Sequence, residues 1–274
     1  MTKTPPAPER PVQAHSLMPL LVHPRHLTQA ARRCMRTASS SGADGMTWHD
    51  YRVGCHDRLA HLAARLRDGT WRPGPVRQIT WPSADKHLCV TIPTVEDRIV
   101  HRAIRGCIEP ILEAHAYPDW MFGWRPGRGR IHALTHAQQR GITSPCWVAD
   151  IDIAHATAGS TVEQAISWLA QWVHDGTFLA TVRHALNGLP SPLAPGSGLS
   201  PLLTNLRLLR IDHALTDVTV VRVTDNYVIF CPDRLHADRA FDHLTEVLFA
   251  HALEPSAAKS KVWRPNLEDL FLAG

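Results

Sequence analysis

No stretch of the chain approaches the roughly 18 uninterrupted apolar residues of a membrane-spanning helix. Its first residues, MTKTPPAPERPVQ, carry charge and proline where a secretory signal needs an apolar segment. A cytoplasmic protein without a membrane partner is therefore expected. The six cysteines, at positions 34, 55, 89, 107, 146 and 231, form no CxxC pair, which argues against a zinc ribbon or a disulfide framework. No segment repeats with a period of about 20–50 residues, so a solenoid is not expected. Nothing suggests a Ser-His-Asp arrangement. His132 and His136 have the separation that zinc-binding helices use, but no third ligand accompanies them.

What is present is a core-forming composition: 44% of 274 residues are hydrophobic, enough for one large domain or two modest ones. The formal charge is only +4, from 29 Lys and Arg against 25 Asp and Glu, so a polyanionic partner is permitted and not demanded. Arginines cluster at Arg32, Arg33 and Arg36, at Arg98, Arg102 and Arg105, and at Arg125, Arg128 and Arg130. One such cluster reads as a solvated helix face; three in one half of the chain suit a phosphate-contacting surface.

Residues 1–17 are proline-rich and polar and are expected to be disordered. Helical spacing follows over 26–37 and 48–67, then a small hairpin from VRQITW and HLCVTIP around PSADK, then a helix over 95–114. In the second half, CWVADIDIA reads as a strand, and the spacing of Ser160 and Glu163 predicts a capping box heading the next helix. A helix over 178–187, an apolar helix from Leu199, a hairpin over 221–231 and a helix over 237–253 complete the order. The pattern predicts an α+β fold, a sheet with helices packed on one face.

Candidate chemistry sits at two acidic strand ends: Asp150 and Asp152 in VADIDIA, and Asp225 in VRVTDNYVIFC. The second is the more unexpected, because the polar pair Asp225–Asn226 tips a hairpin otherwise made for burial. Carboxylates from separate strands, brought side by side, are what a two-metal phosphoryl-transfer site needs. The alternative is a plain turn and two unrelated strand-end acids.

Eight stretches occur in order along the chain: GADGMTWHDY, LRDGTWRPGPVR, IPTVEDRIVHRAI, EPILEAHAYPDWMFGWRPGRG, WVADIDIA, LSPLLTNLRLLRID, VRVTDNYVIF and LEPSAAKSKV. In order and spacing they resemble the reverse transcriptases of bacterial group II introns and their retron-type relatives. The resemblance implies a right-hand polymerase core, with fingers over 18–145 and an antiparallel palm over 146–274, and with the chain ending where a helical thumb would begin. It implies Mg²⁺ (or Mn²⁺) held by Asp152, the Ile153 carbonyl and Asp225, with Asp150 as a fallback ligand. Lys259 would protonate the leaving pyrophosphate, beside a catalytic set of Asp152, Asp225 and Asn226. Ile153, Thr157, Lys86 and Gly196 would face the nucleotide. Arg98, Arg102, Arg125 and Arg128 would contact nucleic acid. The implied partners are an RNA template, a primer, nucleoside triphosphates and a protein supplying a thumb.

Departures from that pattern gather at one place. Asn226 stands where the family's turn has a second aspartate. Ala156 and Thr157 replace two aromatics, one of them the gate against a ribose 2′-hydroxyl. Ala194-Pro195-Gly196 replaces Pro-Gln-Gly, and Ser83 and Leu88 fall where a lysine and an arginine would hold the triphosphate, with Lys86 as a substitute. Two functions follow: RNA-directed DNA polymerisation through a weakened two-metal site, or a catalytically inactive RNA-binding scaffold derived from such an enzyme.

Overall fold

The fold is described by a computed structural model, which describes residues 13–37, 40–82 and 87–272. In chain order its elements are α1 (Leu17–Leu21), α2 (Pro24–Thr37), α3 (Trp48–Arg52), α4 (Cys55–Arg67), β1 (Arg77–Pro82), β2 (His87–Ile92) and α5 (Val95–His115). Then come α6 (Arg130–Gln139), β3 (Trp147–Ala154), α7 (Val162–Leu169), α8 (Gly176–Asn187) and α9 (Ser200–Ala214). Last are β4 (Thr219–Val223), β5 (Asn226–Cys231), α10 (Arg234–Ala250), β6 (Glu254–Pro255), β7 (Lys261–Trp263) and a 3-10 turn at Leu267–Asp269. The chain divides into two compact units, Met1–Ala116 with Ser160–Leu203, and Tyr117–Gly159 with Thr204–Gly274. The fold is α+β with antiparallel sheets. Among the described residues no helix is long and apolar enough to cross a membrane.

The first unit is mostly helical. Leu27, Ala30 and Ala31 of α2, Leu59, Leu62 and Leu66 of α4 and the apolar stripe of α5 are buried; each fully buried Leu or Ile contributes about 1.5–3 kcal/mol. Thr94 caps α5 by accepting from the Asp97 amide. β1 and β2 form a two-stranded antiparallel hairpin. Gly196 lies against β2, where the Thr91 amide donates to the Pro195 carbonyl at 2.7 Å. Its φ is +91° and a Cβ there would come within 2.2 Å of the Thr91 carbonyl oxygen, so only glycine fits.

The second unit is built on a five-stranded sheet in which β3 is paired antiparallel to β5, β6 and β7, and β5 to β4. Ala149, Ile151, Ile153, Tyr227 and Ile229 on one face pack with Leu208 and Ile211 of α9 and Leu244 and Leu248 of α10. Strand alternation sends Val148, Val228 and Phe230 to the other face, where they meet Ala133 and Ala137 of α6 with Phe122, Leu267 and Leu270. Asp150, Asp152 and Asn226 share that second face.

Several expectations shift. Helices cover both faces of the sheet, because α6 docks on the face opposite α9 and α10. The helix expected over 48–67 is two helices, broken at Gly54, whose φ is +69°. The capping box belongs to Thr161 and Gln164, one residue later than the spacing of Ser160 and Glu163 suggests. Of the tail expected over 1–17, residues 1–12 lie outside the described residues, while Ala14 pairs with Val173 and Leu17 opens α1. The boundary expected at 145/146 falls within the second unit, and 160–203 groups with the first.

His101 of α5 is buried, neither ring nitrogen has a hydrogen-bond partner among the described residues, and burial drives its pKa down to about 4. The folded state therefore keeps it neutral while the unfolded state takes up a proton. The stability it confers is full above about pH 6.5 and is lost as pH falls towards about 4, by about 3 kcal/mol in all. Urea unfolding of His101→Leu across that window should show a flatter decline than the parent chain.

Candidate functional site

The hairpin of β4 and β5 closes with Val223 opposite Asn226, so its two-residue tip is Thr224–Asp225 and Asn226 is already the first residue of β5. The sequence places Asp225–Asn226 at the tip; the register is one residue earlier. The cause is the interior. Arg222 and Tyr227 must face the same way, opposite each other, to reach Asp212 of α9, and a slip by one would turn β5 inside out. Thr224 takes the left-handed φ of 58° that hairpin turns of the primed types require, a strained choice for a β-branched residue.

A buried arginine holds that strained turn. Arg222, 0% exposed, donates Nε to Asp212 Oδ1 at 2.9 Å and Nη2 to Oδ2 at 2.7 Å, a bidentate pair. Its Nη1 donates to Asn205 Oδ1 at 3.0 Å and to the Thr224 carbonyl at 2.7 Å. Asp212 Oδ1 also accepts from the Tyr227 hydroxyl at 2.6 Å. Burial alone would pull the Arg222 pKa down, but the Asp212 carboxylate outweighs it and holds the guanidinium charged; burial and Asp212 together push the Tyr227 hydroxyl well up. Asn205 Nδ2 donates to the Gly123 carbonyl, and Gly123 abuts the turn so closely that a Cβ would lie 1.8 Å from the Thr224 nitrogen. Arg222, Asp212, Asn205 and Gly123 all lie within the ordered stretches, but none is singled out there as a candidate residue. The available signal is a charge inside the apolar strand TVVRV and an Asn and Asp seven apart on an apolar helix, which places them on one face.

The turn brings Asp225 beside β3, where the Ile153 amide donates to the Asp225 carbonyl at 3.2 Å, and Asn226 stands opposite Asp152. Asp225, in the turn that joins β4 to β5, thus lies beside the β3 strand that carries Asp152. Asp225 Oδ1 accepts from the Thr224 hydroxyl at 2.9 Å. Asp152 Oδ2 meets the Lys259 ammonium at 3.2 Å. The loop that supplies Lys259 is tied to the same strand: the Ser256 amide donates to the Asp152 carbonyl at 2.7 Å, and the Ser260 hydroxyl lies 3.2 Å from both the amide and the carbonyl of Asp152. Asp150 is different. Its Oδ1 accepts from Asn226 at 2.9 Å and its Oδ2 from Trp263 at 3.1 Å; burial raises its pKa against the pull of those two donors and of Lys261.

Among the described residues no three His, Cys, Asp or Glu gather as a ligand set. Mg²⁺ typically takes only one or two protein carboxylates and completes its shell with water and substrate phosphates, and Asp152 and Asp225 fit that smaller demand. Thr157 is half-buried in the turn after β3, whose carbonyls at Ala156 and Ala158 accept from Arg207; Ala156 itself is 3% exposed and belongs to the apolar core. Arg98 stacks on Trp48 and donates to the Ser40 carbonyl, and Arg102 is half-buried near Arg33. Arg125, expected at a surface, is 6% exposed and donates to the Pro118 and Met121 carbonyls, whereas Arg128 keeps a third of its side chain exposed over Phe122. Lys86 and Ser83 lie outside the described residues.

No family model matches the chain. Protein YkfC of Escherichia coli (strain K12) is 28% identical over 220 residues, covering 73% of this chain and 56% of YkfC. The group II intron-encoded protein LtrA of Lactococcus lactis subsp. cremoris is 26% identical over 180 residues, covering 57% of this chain and 28% of LtrA. The chain therefore spans just over half the length of one relative and under a third of the other. The relationship to LtrA is distant, and it supports the reverse-transcriptase-like kinship carried by the eight ordered stretches.

Removing one partner of the buried pair leaves the other uncompensated. Asp212→Asn or Arg222→Met should each cost about 3–5 kcal/mol in urea unfolding, and Gly123→Ala, which touches no charge, should also destabilise by crowding Thr224.

Proposed function

We propose that the chain is a reverse-transcriptase-like protein that performs template-directed nucleotidyl transfer, an RNA-directed DNA polymerase with a weakened site. The observation that supports this best is that the turn carrying Asp225 packs beside Asp152, the Ile153 amide donating to the Asp225 carbonyl, while the Lys259 ammonium meets Asp152. In this proposal 18–145 act as fingers and 146–274 as palm.

Asp152, Asp225 and the Ile153 carbonyl would hold Mg²⁺ (or Mn²⁺), which when bound neutralises phosphate charge and lowers the pKa of the attacking hydroxyl. Lys259 would deliver a proton to pyrophosphate, a role for which a flexible, half-exposed ammonium is suited. Ile153, Thr157, Lys86 and Gly196 are proposed for the nucleotide, and Arg98, Arg102, Arg125 and Arg128 for RNA template and primer. Because Arg125 is engaged by backbone carbonyls, its contribution is to shape the segment that presents Arg128.

A second reading has its own support. Asn226 is neutral, Thr157 stands where the resemblance puts the aromatic gate, and Ala156, in place of the other aromatic, is buried in the core. Those features suit a scaffold that binds RNA without catalysis.

Primer extension on RNA and DNA templates with Mg²⁺ or Mn²⁺ separates the two. The polymerase reading predicts extension that falls at least about 10²-fold in Asp152→Asn and in Asp225→Asn. RNA binding that weakens with salt, without extension by the parent chain, selects the scaffold.

A further inference from the structure

Asp150 lies on β3, the strand flanked by both β5 and β7, and the residues directly opposite it are Val228 and Lys261. Neither gives it a hydrogen bond. Its donors come instead from the diagonal positions two residues away on each neighbour: Asn226 on β5 and Trp263 on β7. One donor reaches each carboxylate oxygen, so a residue only 9% exposed is bracketed from both sides of its strand. A buried carboxylate is tolerable only when so satisfied.

We propose that Asn226 is a positioning residue for Asp150: position 226 requires an amide, and Asn226 is the donor that turns Asp150 inward rather than the remnant of a lost metal ligand. The chemistry at each end is asymmetric. An aspartate at 226 would replace a donor by a second carboxylate facing the first, losing a hydrogen bond and adding repulsion. An asparagine at 150 would offer one oxygen to two donors and set its own NH2 against one of them. Exchanging the two residues satisfies every group again, since the amide moved to position 150 would accept from Trp263 and donate to the carboxylate moved to position 226. Each oxygen of Asp150 thus meets one protein donor, and Asp152 and Asp225 remain the carboxylates proposed to hold a cation. The inference stands on hydrogen bonding within one sheet and holds whether or not the protein transfers nucleotides.

The test is the reciprocal exchange. Asn226→Asp and Asp150→Asn should each lower Tm by roughly 4–8 °C, while the double variant Asp150→Asn/Asn226→Asp should return to within about 3 °C of the parent, a strongly non-additive result. The indole N–H resonance of Trp263, assigned through Trp263→Phe, should move upfield in Asp150→Asn and recover in the exchange, a signature that general loosening would not restore. If Asn226→Asp does not fold, folding of the double variant is the expected result. A double variant that loses the sum of the two single losses, or that fails to fold alongside Asn226→Asp, would overturn the proposal.

Discussion

The bidentate pair between Arg222 and Asp212 is the constraint on which the second unit depends. It is fully buried, so its charges have surrendered their hydration, and such pairs stabilise only when every remaining donor and acceptor is matched. Here the match is made with Asn205, Tyr227 and the Thr224 carbonyl. Three consequences follow from one guanidinium: the register of β4 against β5, the left-handed backbone of Thr224, and the placement of Asp225 beside β3. A hydrophobic replacement of the pair could restore stability without restoring the turn, because no apolar side chain holds the Thr224 carbonyl. The pair contributes specificity of position rather than stability alone.

Around that fixed turn the three aspartates take different fates. Asp150 is satisfied by protein donors on both oxygens and buried. Asp152 is partnered by Lys259, whose loop is pinned to the same residue's backbone through Ser256 and Ser260. Asp225 takes one neighbouring hydroxyl, and among the described residues nothing donates to its Oδ2. Two carboxylates and one movable ammonium are a lean set for phosphoryl transfer, and substrate phosphates would have to complete it.

Much of this was legible in the sequence, and the gaps have physical reasons. Period-2 and helical spacing mark β3, α2, α5 and α9, and the ordered stretches single out Asp152, Asp225 and Lys259, of which the structure sets Lys259 against Asp152. The one-residue shift of the hairpin tip escapes notice because Thr, Asp and Asn all tolerate turns; what decides among them is Arg222 seeking Asp212, a long-range pairing that local spacing cannot encode. The same limit hides Asn226–Asp150 and Trp263, partners 76 and 113 residues apart. Arg125 misleads for the opposite reason: a run of arginines and glycines reads as surface, yet its carbonyl partners draw the side chain inward.

We propose that the clamped turn builds a divalent-cation site from Asp152 and Asp225, and Mn²⁺ titration followed by the electron paramagnetic resonance of the free ion tests that site. The parent chain should bind one saturable class of Mn²⁺, with affinity reduced about tenfold or more in Asp152→Asn and in Asp225→Asn. Equal Mn²⁺ affinity in all three proteins, each shown to be folded, would contradict it.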